Sequence, residues 1–222
     1  VSRYLRGAGL AGVPVNIVHL STAKALEEVR RARAAGQDVY VETCPQYLLL
    51  DDSHYNAPFE EACKFVLSPP LRKLGDCTAL WEALASGEVD TLGTDHCSFT
   101  LAQKANGKDD FSKIPNGIPG VQHRAQLLYT YGVGTGRITK ERMAAVLSEN
   151  IARQFGLFPQ KGILAEGSDA DIVIWDPLAE GVISAKTQAH NVDNTPFEGF
   201  RTKGAARDVF LRGEWVVKDG IV

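Results

Sequence analysis

The stretch from residue 13 to residue 45 restricts this chain more than any other, because it reads as strand, helix, strand. Residues 13–18, VPVNIV, form a largely apolar run of the kind that parallel sheets bury on both faces. Ser21 or Thr22 can cap the helix that follows, Leu26, Val29 and Ala32 recur at helical spacing, and Gly36 closes the element. A second strand spans 38–43 and stops at Cys44-Pro45, since proline has no N–H to give to a ladder. A strand, a helix and a second strand within so short a span make a βαβ crossover, so the chain is α/β in class with parallel pairing.

The rest of the chain extends this pattern and then leaves it. An apolar segment at 47–50 gives way to turn residues at 51–58, and 62–67 reads as a further extended piece stopped by Ser68-Pro69-Pro70. Asp76 is placed to cap a helix carrying Leu80, Trp81 and Leu84, with Gly87 as its terminator. The strand 89–92 comes next and delivers Asp95, His96 and Cys97. Residues 96–120 read as one long loop, a length that is usually functional in a compact domain. Helices are expected at 121–131, at 140–148 behind Thr139, and at 151–155 before Gly156. After Pro159 the chain turns β-rich, with a strand at 171–175 and a hairpin joining 209–211 to 215–218. A boundary near 159 therefore divides the chain into 1–158 and 159–222.

Composition removes several classes of function. A net charge of −3 without a basic cluster gives no footprint for nucleic acid or an anionic membrane. No apolar run is long enough to span a bilayer, and the opening VSRYLRGAGL lacks the order of a signal peptide. Cys44, Cys63, Cys77 and Cys97 show no C-x-x-C spacing, which points to reduced thiols and a cytoplasmic protein.

His19 and Asp95 each follow a strand on its carboxyl side, where parallel α/β folds and (β/α) barrels place their chemistry. An imidazole and a carboxylate are suitable zinc ligands, and a carboxylate there can also move a proton. A strand-end aspartate also serves as a helix cap and a strand-end histidine as a core residue, so spacing alone leaves both readings open. Two ligands do not complete a catalytic zinc site, which takes at least three from the protein. His54, His123 and His190 show no ligand spacing and read as solvated. His96 and Cys97 share the mouth with Asp95 as pocket residues, and nothing near Cys97 would lower its pKa into a nucleophile's range. Ser68 and Asn116 sit in proline-flanked loops whose fixed backbone suits recognition of a cyclic amide, or is simple turn chemistry.

Several ordered motifs settle on one family. VHLS at 18–21, ETCPQYL at 42–48, SPPLR at 68–72, LGTDHCSF at 92–99 and IPNGIPGV at 114–121 resemble the cyclic amidohydrolases of the dihydropyrimidinase and D-hydantoinase group. FGLFPQKG at 155–162, GSDADIVIWDP at 167–177 and PFEG at 196–199 continue the resemblance to the C-terminus. It implies the C-terminal part of a (β/α)₈ barrel followed by a small β-sandwich segment. It also implies two zinc ions, with His19 and Asp95 as metal ligands and Asp95 as the general base toward a zinc-bridging hydroxide. Ser68 and Asn116 match positions that hold the ring amide through main-chain groups, and the family is tetrameric.

The chain lacks the H-x-H pair and the carboxylated lysine that such enzymes use, and full members are about twice as long. The resemblance therefore implies the C-terminal half of an enzyme, inactive alone and prone to self-association through open sheet edges. Gln46 in CPQYL favours the dihydropyrimidinase group over allantoinase-like ureide hydrolases, which resemble it but tend to carry histidine there. A non-catalytic dihydropyrimidinase-like scaffold is the alternative from a different class, and retention of His19 and Asp95 argues against it.

Overall fold

The computed structural model describes residues 1–221 as an α/β chain with two three-stranded sheets. Its contacts group into two compact units, residues 1–124 with 184–198, and residues 125–183 with 199–221.

The first unit opens with α1 (Ser2–Ala11), a helix the N-terminal sequence did not announce. Then come β1 (Val15–Ile17), α2 (Ala23–Ala34), β2 (Val39–Thr43), α3 (Pro45–Leu49), α4 (Phe59–Ala62), α5 (Leu74–Ser86), β3 (Thr91–Leu92) and α6 (Leu101–Ala105). β2 is central and pairs in parallel with both neighbours, Val15 opposite Val39 on one side and Thr43 opposite Leu92 on the other. The βαβ reading of the first 45 residues is therefore what the chain forms. Burial along β2 alternates, however, with Val39, Val41 and Thr43 buried and Tyr40 and Glu42 less so. β3 is buried on both faces, but Val13 and Val18 on either side of β1 are exposed, which corrects the expectation of a first strand buried on both.

Arg33 and Asp90 stitch the amino-terminal ends of these strands together. The guanidinium donates to the carbonyls of Val39 and Glu88 and to the Asp90 carboxylate, which also accepts the Val41 N–H at 2.7 Å. Such fork-shaped donation fixes direction as well as distance.

Thr22 caps α2, its hydroxyl accepting the Ala25 N–H at 3.0 Å, while the Ala23 N–H goes to the Asp76 carboxylate at 2.8 Å. Thr22→Ala is expected to lower stability by about 1 kcal/mol, the usual worth of such a cap. Thermal unfolding checks this, and an unchanged midpoint would mean that Asp76 satisfies the helix end unaided.

Three local expectations are corrected. Asp76 is the third residue of α5 rather than its cap: the N-cap is Lys73, and Asp76 reaches back to the Lys73 N–H at 3.2 Å. Residues 62–67 are not extended, since α4 runs into a 3₁₀ turn over Cys63–Phe65. The long loop from His96 to Gly120 contains α6, capped by Thr100 with Gln103 in a reciprocal box, and a 3₁₀ turn at Phe111–Lys113. All four cysteines are free thiols, as their spacing implied.

In the second unit, α7 (Arg124–Leu128), whose first residue belongs to unit one, continues as a π-type turn through Val133. α8 (Lys140–Ala144) runs through another such turn into α9 (Asn150–Gln154), so the two helices expected at 140–148 and 151–155 form one helical run. No glycine or proline separates them. β4 (Ile172–Val182), β5 (Arg201–Leu211) and β6 (Glu214–Val217) form an antiparallel sheet in that order. The hairpin between β5 and β6 turns through Arg212 and Gly213, both at positive φ (52° and 84°), as a tight two-residue loop requires. Helix and sheet are tied in this unit by the Lys203 N–H on the Thr130 hydroxyl at 2.9 Å and by the Tyr131 hydroxyl on the Arg201 carbonyl. No described helix is long and apolar enough to cross a membrane.

Candidate active site

The carboxyl ends of β1 and β3 share an unusual backbone. His19 has φ 40° and Asp95 has φ 50°, two of four non-glycine residues at positive φ among those described. A side chain at such an angle costs on the order of 1–2 kcal/mol, and such residues persist only where neighbours hold them. Here they are held. Beside His19, the Leu20 N–H donates to the Glu42 carbonyl at 2.8 Å, and the buried Thr43 hydroxyl donates to the Leu20 carbonyl at 2.7 Å. Before Asp95, the Gly93 N–H donates to the Thr43 carbonyl, and the buried Gln46 amide donates to the Thr94 carbonyl at 3.0 Å. Both strained residues thus hang from the end of β2.

Between them lies a residue that sequence reading passed over. Glu42 is half-buried, and burial raises its carboxyl pKa, while the charges of His19 and Arg124 pull it down and Asp95 pushes it up. Its carboxylate stands 2.5 Å from where a β-carbon at position 93 would lie, so the absence of a side chain at Gly93 leaves the carboxylate its present place. Arg124 donates to the Leu92 carbonyl at 3.2 Å, and burial lowers its pKa against the opposing pull of Glu42. The alternation along β2 was the available signal for Glu42, since it shares the face of Tyr40 opposite the buried Val41.

His96 closes the next loop onto this mouth. Its Nδ1 accepts the N–H groups of Gly120 and Val121 at 3.0 and 3.2 Å, so the ring proton sits on Nε2, facing the Ser98 hydroxyl at 3.0 Å. Residues 96 and 118 form a parallel bridge, and the Cys97 N–H donates to the Ile118 carbonyl. The Cys97 thiol is half-buried against Gly117, and burial followed by the charge of Asp95 raises its pKa. Ser68 and Asn116, 48 residues apart in sequence, meet side chain to side chain at 3.4 Å, and both are exposed.

His190 and His123 depart from the solvated role expected of them. The His190 ring lies 5.2 Å from that of His96 and 5.9 Å from that of His123, and His123 is only 4% exposed. Burial, and then the adjacent imidazole, lowers the pKa of both, which keeps them neutral at pH 7. His54 stacks on Phe65 with ring centroids 4.1 Å apart.

Among the described residues no group of three or more His, Cys, Asp or Glu side chains is arranged to hold a metal ion. His19 and Asp95 have the right donor atoms for zinc but make at most part of a site. Two surface depressions, of about 390 and 400 Å³, lie along α1, and neither is lined by His19, Glu42, Ser68, Asp95, His96, Cys97 or Asn116.

Comparison with known proteins adds a family and a length. The model of the amidohydrolase family matches residues 9–216. The D-phenylhydantoinase of Escherichia coli (strain SE11) is 48% identical over 222 residues, which are 99% of this chain and 48% of that protein. The D-hydantoinase of Geobacillus stearothermophilus is 48% identical over 95% of this chain and 45% of its own length. The crystal structure of dihydropyrimidinase from Brevibacillus agri NCHU1002 superposes with a TM-score of 0.96 at 43% identity, over 99% of this chain and 48% of that one. The chain spans about half the length of the relatives it matches.

Proposed function

Because the chain belongs to the amidohydrolase family, among its dihydropyrimidinases and D-hydantoinases, we propose that it is the C-terminal part of a cyclic amidohydrolase that opens the ring amide of dihydropyrimidines or hydantoins. In this reading residues 1–158 belong to a (β/α)₈ barrel and residues 159–222 to a β-rich sandwich segment, a division by lineage rather than by packing. The remaining barrel strands lie outside the chain, and the whole enzyme is a homo-oligomer.

The observation that carries the reading is the matched pair of strained strand ends. A left-handed histidine and a left-handed aspartate at the carboxyl ends of two parallel strands carry a backbone cost that a functional site would account for. Amidohydrolases are generally metal-dependent, and His19 and Asp95 are the donors this chain would offer to a pair of zinc ions. The other ligands would come from outside residues 1–222. When bound, the metals supply an acidified water and polarise the amide carbonyl.

The chain's own residues do the rest. Asp95 takes the proton from the attacking water and hands it to the ring nitrogen as the C–N bond breaks, so one water adds across one amide. Main-chain groups at Ser68 and Asn116 hold the ring amide. His96 fixes the loop that carries Asn116 against the loop that carries Asp95, and Cys97 lines the mouth.

The complete protein is expected to purify with about two zinc ions per chain and to hydrolyse dihydrouracil or hydantoin, whereas residues 1–222 alone turn over neither. Metal analysis and a ring-opening assay check both halves. A complete protein without metal and without turnover would overturn the function and favour a scaffold. Turnover by the isolated chain would overturn the placement of the missing ligands.

A further inference from the structure

Lys104 is fully buried, on the short helix α6, and none of the chemistry above uses it. Burying an ammonium is expensive unless its protons find acceptors. Its Nζ donates to the Val66 carbonyl at 2.9 Å and to the Pro115 carbonyl at 3.0 Å. Val66 precedes Ser68 by two residues, and Pro115 is the neighbour of Asn116.

The same junction is tightened from other directions. The Gly117 N–H donates to the Val66 carbonyl at 3.0 Å. The turn that ends α6 packs so closely on Ile114 that a β-carbon at Gly107 would stand 2.1 Å from its side chain. The hydroxyl of Ser68 and the amide oxygen of Asn116 are then 3.4 Å apart.

We propose that Lys104 is a positioning residue for the substrate site, its amine setting the separation between the main chain at Ser68 and the main chain at Asn116. This rests on the reading of Ser68 and Asn116 as the pair that holds the ring amide. A lysine suits the task because one nitrogen with several protons spans two carbonyls that face each other, which no apolar side chain of its length can do. Burial lowers its pKa to about 8, against the opposing pull of the Cys63 and Cys97 thiols that face it.

The test uses the complete, zinc-loaded protein with dihydrouracil and hydantoin as substrates. Lys104→Met is expected to raise KM about tenfold with kcat changed less than threefold, the signature of lost binding rather than lost active enzyme. Lys104→Gln, which keeps a donor on a shorter reach, should fall between. Hydrogen exchange followed by mass spectrometry should quicken at residues 66–69 and 114–118 and stay unchanged in β1 and α2.

A merely structural lysine would lower the active fraction, which reduces kcat and leaves KM alone, and that result would overturn the inference. Failure of both variants to fold would overturn it likewise. A wild-type protein inactive on both substrates would sink the function proposed above and this inference with it. An active wild type whose KM is unmoved by either variant would sink this inference alone.

Discussion

Asp95→Asn in the complete protein is expected to lower kcat for ring opening by about 10³-fold, within the roughly 10²–10⁴-fold that a positioned acid–base group contributes. Asparagine has the same shape and visits the left-handed region as readily as aspartate, so the backbone at φ 50° is undisturbed. What changes is chemical. The amide cannot accept a proton from water and, being uncharged, is a poorer ligand for zinc than a carboxylate. Steady-state rates together with metal content and the unfolding midpoint check the claim. A variant with an unaltered midpoint and kcat within tenfold of the wild type would remove Asp95 from the proton path.

The second large effect falls on the other unit. Gly204→Ala is expected to destabilise the chain by about 3 kcal/mol, the sum of a left-handed backbone cost and an overpacking cost of roughly 1–2 and 1–3 kcal/mol. Gly204 has φ 83°, and a β-carbon there would stand 2.5 Å from the Tyr129 ring and 2.6 Å from the Trp175 indole nitrogen. Those two rings lie 5.2 Å apart between centroids, so neither has room to withdraw without unpacking the other. Gly136→Ala is the internal comparison. It has φ 73° with nothing within 4 Å of the added carbon, so it isolates the backbone part, about 1 kcal/mol. Urea unfolding of the two variants, with m unchanged, measures the difference. Equal losses at both positions would show that the contact with Tyr129 and Trp175 carries no energy.

The sequence was readable where information is local. The cap at Thr22, the glycines after α2 and α5 and the hairpin around Arg212-Gly213 each act within a few residues, and each stands where the pattern put it, though β6 begins one residue earlier, at Glu214. Reading became harder where a residue answers to something distant. Asp76 resembles a cap by its neighbours, yet one carboxylate serves the start of α5 and the start of α2, 53 residues away. The segment at 62–67 has strand-like composition, but the Lys104 amine and the Tyr55 hydroxyl take the carbonyls of Val66 and Phe65, so no ladder is needed there.

The site divides in the same way. Asp95 and His19 were visible because strand ends are visible, and Ser68 and Asn116 because prolines frame them. Glu42 was hidden inside β2, His123 read as solvated because it showed no ligand spacing, and nothing in the run LAQKAN distinguishes a buried lysine from a solvated one. Those three owe their roles to contacts between loops that no spacing rule connects.

The left-handed backbone at His19 and Asp95 also bears on how such a chain should be engineered. Glycine at either position would relax the turn and add on the order of 1 kcal/mol, so a thermostability screen blind to activity is drawn toward the two substitutions that would remove the proposed metal ligands. A consensus or sequence-design procedure scoring backbone compatibility alone would make the same exchange. Positions 19 and 95 therefore belong among those held fixed before any such optimisation begins.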